Sequence, residues 1–191
     1  CRRGPVPGRA ACVHRFPSRM KFLLFAPLLV VACENGRVPP APSVPQRQES
    51  LIDENKRWLE RESRDIDLWV TRQQVAFTKT GTGVRWHMVR DVPGEPARPE
   101  QLARVNYLLT LLNGDTCYFT PPGAPESFRV EHDEVESGLH EAVQFMSAGD
   151  SAVVVIPSHR AHGLAGDLSK VPMRSTVVYH IGLEKLTSPR K

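Results

Sequence analysis

Two imidazoles three residues apart, His159 and His162, stand in the stretch VVVIPSHRAHGLAGDLSKVP, residues 153–172, where a run of apolar strand formers stops at Pro157. Such a pair serves as metal ligands, as catalytic bases, or in a role set by the fold around it. Zinc asks for three or four donors in a fixed tetrahedron, and in this Gly-rich loop only Asp167 is at hand to join the two histidines. The spacing falls short of a metal centre, and His159 is expected to be an exposed loop residue. Cys117 is expected to be a buried, inert small hydrophobe, the alternative being a place on the rim of a pocket. Tyr107 and Tyr179 fall on alternating apolar segments, where core filling and pocket lining are equally open to them.

The elements that must position these residues follow from periodicity. Val84, Trp86 and Met88, then Val105, Tyr107, Leu109 and Leu111, then Val177, Tyr179, Ile181 and Leu183 alternate at period two, which predicts strands with one buried face. SAVVVI, residues 151–156, predicts a fourth, more fully buried strand. Val135, Leu139, Ala142, Val143 and Met146 recur at helical spacing, with Gly149 as the stop, and predict one short helix. Upstream, Ser50 and Asp53 form an N-cap signature, and Leu51, Ile52, Trp58, Leu59, Ile66, Trp69 and Val70 predict an amphipathic helix over 51–73. Its charged face reads as solvated, with Trp58 and Trp69 packing on the following domain or on a second copy. The fold class expected is α+β: a curved antiparallel sheet wrapped around one short helix, preceded by the amphipathic helix.

The net charge of +4 comes from the first 33 residues, since Arg2, Arg3, Arg9, Arg15, Arg19 and Lys21 precede every acidic residue. From Glu34 onward 19 Lys and Arg face 21 Asp and Glu, so the basic footprint of a nucleic-acid binder is missing there. Residues 1–19 are expected to be an upstream extension, with Met20 the true start. Lys21 and the apolar run Phe22 to Ala32 have the layout of a secretory signal over 20–32, and as a helix these eleven residues reach ~17 Å, too short to span a bilayer. Val30-Val31-Ala32-Cys33 resembles a lipobox, which implies a diacylglycerol thioether on Cys33; a plain signal peptide or a buried helix is the alternative. Residues 33–49, rich in Pro, are expected to be an extended tether of up to ~50 Å. Cys117 is then the one cysteine of the mature chain besides Cys33, so a disulfide framework is excluded.

Tyr107, Gly114 in a hairpin, Phe128, the run VESGLHEAVQFMSAGDSAVVVIPSHRAHG, Val171-Pro172 and VVYHIGLEKL together resemble the FK506-binding-protein type of peptidyl-prolyl isomerase over about residues 75–187, with 188–191 a tail. With the lipobox, tether and helix (50–74) in front, the chain resembles the lipoproteins of this family associated with gliding motility. The resemblance implies a prolyl cup built from Tyr107, Phe128, Val135, Glu136, Leu139, His162, Val171 and Tyr179. It further implies that the Glu136 N–H points at the substrate carbonyl and that His162 stands in the flap where a Tyr is commoner. It also implies no cofactor, proline-containing polypeptides as substrates, and a membrane partner through the lipid. Glu34 after Cys33 points to the outer membrane, facing the periplasm. Cys117-Tyr118 stands where Phe-Asp is common, and Leu139 where Trp is common, so a shallower, less acidic cup is expected. Two other readings stay open: a weakly active peptide-binding or chaperone module, and a structural lipoprotein of a secretion or motility machine acting through helix 51–73, with a second copy or a machine component as its partner.

Overall fold

The computed structural model describes residues 44–188. The extension 1–19, the signal 20–32, Cys33 and the tether up to residue 43 lie outside the described residues. Helix α1 spans Val44–Arg72. It begins seven residues before the expected start, so residues 44–49 are helical and not tether, and Ser50 lies inside the helix. Pro45 sits in the first turn, where a missing N–H leaves no helical bond unmade and the fixed φ suits the helix.

Seven strands follow: β1 Thr78–Lys79, β2 Arg85–Arg90, β3 Leu102–Leu111, β4 Thr116–Phe119, β5 Glu126–Arg129, β6 Ser151–Ile156 and β7 Val177–Thr187. All pair antiparallel in the order β1-β2-β6-β7-β3-β4, with β5 on the same edge of β3 as β4. β3 and β7 are the long central pair, in register from Leu102↔Thr187 to Leu111↔Val177 with one bulge at Arg104/Val105. The rows Trp86↔Val154, Val154↔Tyr179 and Leu109↔Tyr179 carry one face of the sheet across four strands. That face packs on helix α2, Ser137–Val143, and encloses a core of Ala103, Val105, Leu109, Val130, Leu139, Val143, Met146, Val154, Ile156 and Ile181. The α+β architecture expected from the period change is the one found.

Two contacts explain why α2 sits so close. A Cβ on Gly138 would stand 2.3 Å from Ile156 Cγ2, so the absent side chain lets the helix reach β6. Gly149, at φ +99, sends its N–H to the Leu183 carbonyl at 2.7 Å. The helix itself ends earlier than Gly149, with turns at Phe145 and Met146 carrying the apolar stripe on.

The other face of the sheet is covered by α1. Fully buried Ile66 packs with Val155 and Val178, flanked by Trp69, Val70, Phe77, Leu112 and Val153. Trp58, Glu62, Ile66 and Val70 follow each other at four-residue spacing and form the contact line. Leu51, Ile52 and Leu59, expected on that apolar face, are exposed; Leu59 is one residue, about 100°, off the line. Arg85 is 2 % exposed and is satisfied by Asp67 at 2.6 Å and Ser63 Oγ at 2.8 Å, both from α1.

Candidate active site

On the α2 side, beyond the edge of the helix, the sheet leaves a cavity of about 360 Å3. Val105, Tyr107 and Leu109 line it from β3, Tyr118 from β4, Glu126, Ser127 and Phe128 from β5, and Tyr179 from β7. Val135, Glu136 and Leu139 come from the start of α2, and His162 and Asp167 from the segment between β6 and β7. That segment opens with a 3-10 turn at Ser158–Arg160 and folds back on itself through the Arg174 N–H to the Gly163 carbonyl at 3.0 Å. At its tip Gly166 has φ +69, and a Cβ there would meet the Val171 carbonyl oxygen at 2.2 Å, so only glycine fits the bend.

The polar groups of the cavity are linked to each other. The Tyr179 hydroxyl donates to Glu136 Oε1 at 2.8 Å. His162 Nε2 lies 2.9 Å from the same oxygen but off the line of a ring N–H hydrogen bond, so the contact gains strength as an ion pair when the imidazole is protonated. The Tyr107 hydroxyl donates to Glu126, 3.2 Å from each carboxylate oxygen. The Tyr107 and Tyr179 rings meet edge-on, centroids 5.5 Å apart, a favoured geometry for aromatic pairs. Tyr118 donates its hydroxyl to Asp167, whose other oxygen accepts the N–H groups of Ser169 and Val171.

These contacts set the protonation states. Burial, then the Glu126 carboxylate, pushes the Tyr107 phenol up to about 12. Burial, then Glu136, pushes Tyr179 up further. Both stay neutral donors through the physiological range. At Asp167 burial alone acts upward, but the hydrogen bonds from Tyr118, Ser169 and Val171, with His162 nearby, outweigh it and hold the carboxyl at about 2.

Behind the cavity, His140 on α2 accepts the Glu131 N–H at Nδ1 (2.9 Å) and stands 3.0 Å from the Asp133 carbonyl at Nε2. Through these two contacts the ring clips α2 to the loop before it. Its face meets Phe128 edge-on at 5.5 Å, which fixes the cavity wall. The Glu136 N–H, just ahead of the helix, takes no partner in the hydrogen-bond network of the described residues.

Of the eight residues expected in the cup, Tyr107, Phe128, Val135, Glu136, Leu139, His162 and Tyr179 come together around the cavity. Val171 is not among the lining residues: it is 2 % exposed and packs into the core from the segment between β6 and β7, the roof of the cavity. Three carboxylates, of Glu126, Glu136 and Asp167, line the cavity. The Asp missing after the hairpin is matched in charge by Asp167, reached through Tyr118 of that same dipeptide. Val105 and Leu109 were readable from their alternation with Tyr107. Glu126, Ser127 and Tyr118 carry no local signal, since β4 and β5 are four residues each. His159 is exposed as expected, 3.2 Å from the Thr82 carbonyl at Nε2. Cys117 is 3 % exposed, its thiol pushed up by burial and then by the Asp167 carboxylate.

Residues 94–184 match the family model described as FKBP-type peptidyl-prolyl cis-trans isomerase. Over these residues the chain is similar to that family. The FKBP-type peptidyl-prolyl cis-trans isomerase FkpA of Buchnera aphidicola subsp. Acyrthosiphon pisum (strain APS) is 31% identical over 108 residues, 55% of this chain and 43% of that protein. The chain therefore spans under half the length of this curated relative. The crystal structure of FkpA from Escherichia coli superposes with a TM-score of 0.60 at 24% identity, over 74% of this chain and 66% of that one, a likeness of fold. The cavity lies within the matched residues, while α1, β1 and β2 precede them.

Proposed function

We propose that the protein is a peptidyl-prolyl cis-trans isomerase, tethered to a cell envelope by a lipid on Cys33 and acting on exported polypeptides. The observation that carries the reading is the cavity itself: apolar walls, two neutral phenols and a roof segment, all within the residues similar to the FKBP-type family. An Xaa-Pro bond prefers trans only slightly, but its partial double-bond character raises a barrier of ~18–20 kcal/mol. Uncatalysed exchange therefore takes ~10–100 s. Rotation needs no nucleophile; it needs a site that fits the twisted amide better than the planar one.

Val105, Leu109, Phe128, Val135 and Leu139 supply a dry seat for the pyrrolidine ring. Water stripped from the preceding carbonyl no longer stabilises the planar, charge-separated amide, which lowers the cost of twisting. The unpartnered Glu136 N–H and the His162 imidazole offer donors to the substrate carbonyls. The test is a protease-coupled assay on a short Xaa-Pro peptide: acceleration that disappears in Tyr107→Ala supports the reading, and absence of acceleration rejects it.

The lipobox at residues 30–33, the Pro-rich run after it and α1 in front of the domain support envelope tethering, on an outer membrane facing the periplasm, and a place among the gliding-motility lipoproteins. Intact mass of protein taken from membranes, with a diacylglycerol increment on Cys33, tests the tether.

One observation favours a second reading, a slow peptide-binding or chaperone module: Glu136 already engages the Tyr179 hydroxyl and stands against His162. Tight peptide binding without rate acceleration is the result that selects it.

A further inference from the structure

Glu62 of α1 is 4 % exposed, and among the described residues no cation lies within ion-pair distance of it. Its burial is made tolerable by three donors, all from the roof segment. Oε1 accepts the Ser158 backbone N–H at 2.7 Å and the Thr176 hydroxyl at 2.7 Å, and Oε2 accepts the Ser158 hydroxyl at 3.0 Å. Ser158 stands just after β6 and Thr176 just before β7. One carboxylate thus holds both ends of the neck from which the loop carrying His162 and Asp167 projects.

Charge-assisted hydrogen bonds to a buried carboxylate are roughly twice as strong as neutral ones, and removing their acceptor leaves the donors unsatisfied. Two exposed contacts extend the clamp: Arg174 donates to Asn55 Oδ1 at 3.3 Å and lies 5.8 Å over the Trp58 ring. Beyond the neck the loop is held by its own bonds, from Arg174 N–H to Gly163 and from the Ser169 and Val171 N–H groups to Asp167, and by contacts from Tyr118 of β4 to Asp167 and from Arg160 to Glu141 of α2. The loop is therefore a braced piece on a neck whose two ends meet at Glu62.

We propose that Glu62 is a positioning residue: docked from α1, it fixes the neck of the segment 158–176 and so places His162 and Asp167 over the cavity. This deepens the isomerase reading and rests on it for the kinetic consequence alone. Helix α1, which contributes nothing to the cavity lining, becomes part of the working unit.

The experiment compares the full-length wild type, Glu62→Ala, Glu62→Gln and Thr176→Val by amide hydrogen exchange and by isomerase kinetics on an Xaa-Pro peptide. Glu62→Ala is expected to speed exchange across 158–176 by about tenfold while β3 and β7 keep their protection, and to raise KM about fivefold more than it changes kcat. Glu62→Gln keeps an acceptor for the Ser158 N–H and the Thr176 hydroxyl and an amide donor for Ser158 Oγ, so it restores most of both. Thr176→Val, should the alanine variant not fold, gives the same pattern at smaller size. Unchanged exchange in 158–176, or equal loss of protection in β3 and β7, overturns the proposal. A wild type that accelerates no Xaa-Pro peptide counts against the isomerase reading, and the exchange comparison then decides the role of Glu62 by itself.

Discussion

The Tyr179 hydroxyl and the Glu136 carboxylate meet at 2.8 Å inside the cavity, joining the last strand of the sheet to the residue that opens α2. Tyr179 is buried, so the pair also ties two walls together. Removing the hydroxyl leaves the half-buried carboxylate with only the off-line His162 contact. Tyr179→Phe is expected to lower stability by ~1–3 kcal/mol, read as a shift of the urea midpoint at unchanged slope, and to reduce kcat/KM. An unshifted midpoint would mean that the hydroxyl contributes nothing to the wall.

Alkaline titration tests the Tyr107–Glu126 contact. The Tyr107 phenol rises from 10.0 to about 12 on folding, through burial first and the Glu126 charge second. The unfolded chain releases this proton before the folded one does, so the stability linked to it is present below pH 10 and is lost between pH 10 and about 12. Glu126→Gln removes the charge and should move phenolate absorbance of one tyrosine to lower pH. A profile identical to wild type would place the cause in burial alone.

Asp167 gives the opposite sign. Its carboxyl falls from 3.8 to about 2 on folding. Stability linked to it is present above pH 3.8 and is lost as pH falls toward 2. Asp167→Asn should flatten the acid limb of the stability curve across that window, measured by thermal unfolding at a series of pH values; an acid limb as steep as wild type refutes the assignment.

Cys117, buried with its thiol near the Lys170 carbonyl, should resist thiol reagents in the native state. With Cys1, Cys12 and Cys33 replaced by Ser, labelling is expected to track global unfolding in denaturant. Rapid native labelling that a proline peptide blocks would move the thiol to the cavity rim.

Ile66 is the anchor of α1 on the outer face of the sheet. Ile66→Ala should cost ~2–5 kcal/mol of stability. A loss under ~1 kcal/mol would mean that the helix does not depend on this contact.

The sheet was legible wherever a strand was long enough to show its period: β2, β3, β6 and β7 lie where Val84 to Met88, Val105 to Leu111, SAVVVI and Val177 to Leu183 alternate or run apolar. β1, β4 and β5, two to four residues each, are too short for period two to rise above chance. Seven of the cup residues were legible through ordered motifs, whereas Val171 was misplaced because a motif position does not say whether a side chain faces the cavity or the core below. Glu62 was invisible for a different reason. On a helix dense in mixed charge, one buried carboxylate looks like its solvated neighbours, and only the return of the roof segment against α1 singles it out. The start of α1 was placed late because Ser50 and Asp53 read as a cap and the Pro-rich run before them as a tether, although a first-turn Pro such as Pro45 is compatible with helix.

The most direct measurement is cis–trans exchange of a short Xaa-Pro peptide observed by NMR with catalytic amounts of protein. The account predicts exchange faster than the uncatalysed ~10–100 s timescale, slowed back toward it by Tyr107→Ala in a protein that keeps its fold. Exchange at the uncatalysed rate with folded wild-type protein, or acceleration untouched by Tyr107→Ala, would contradict it.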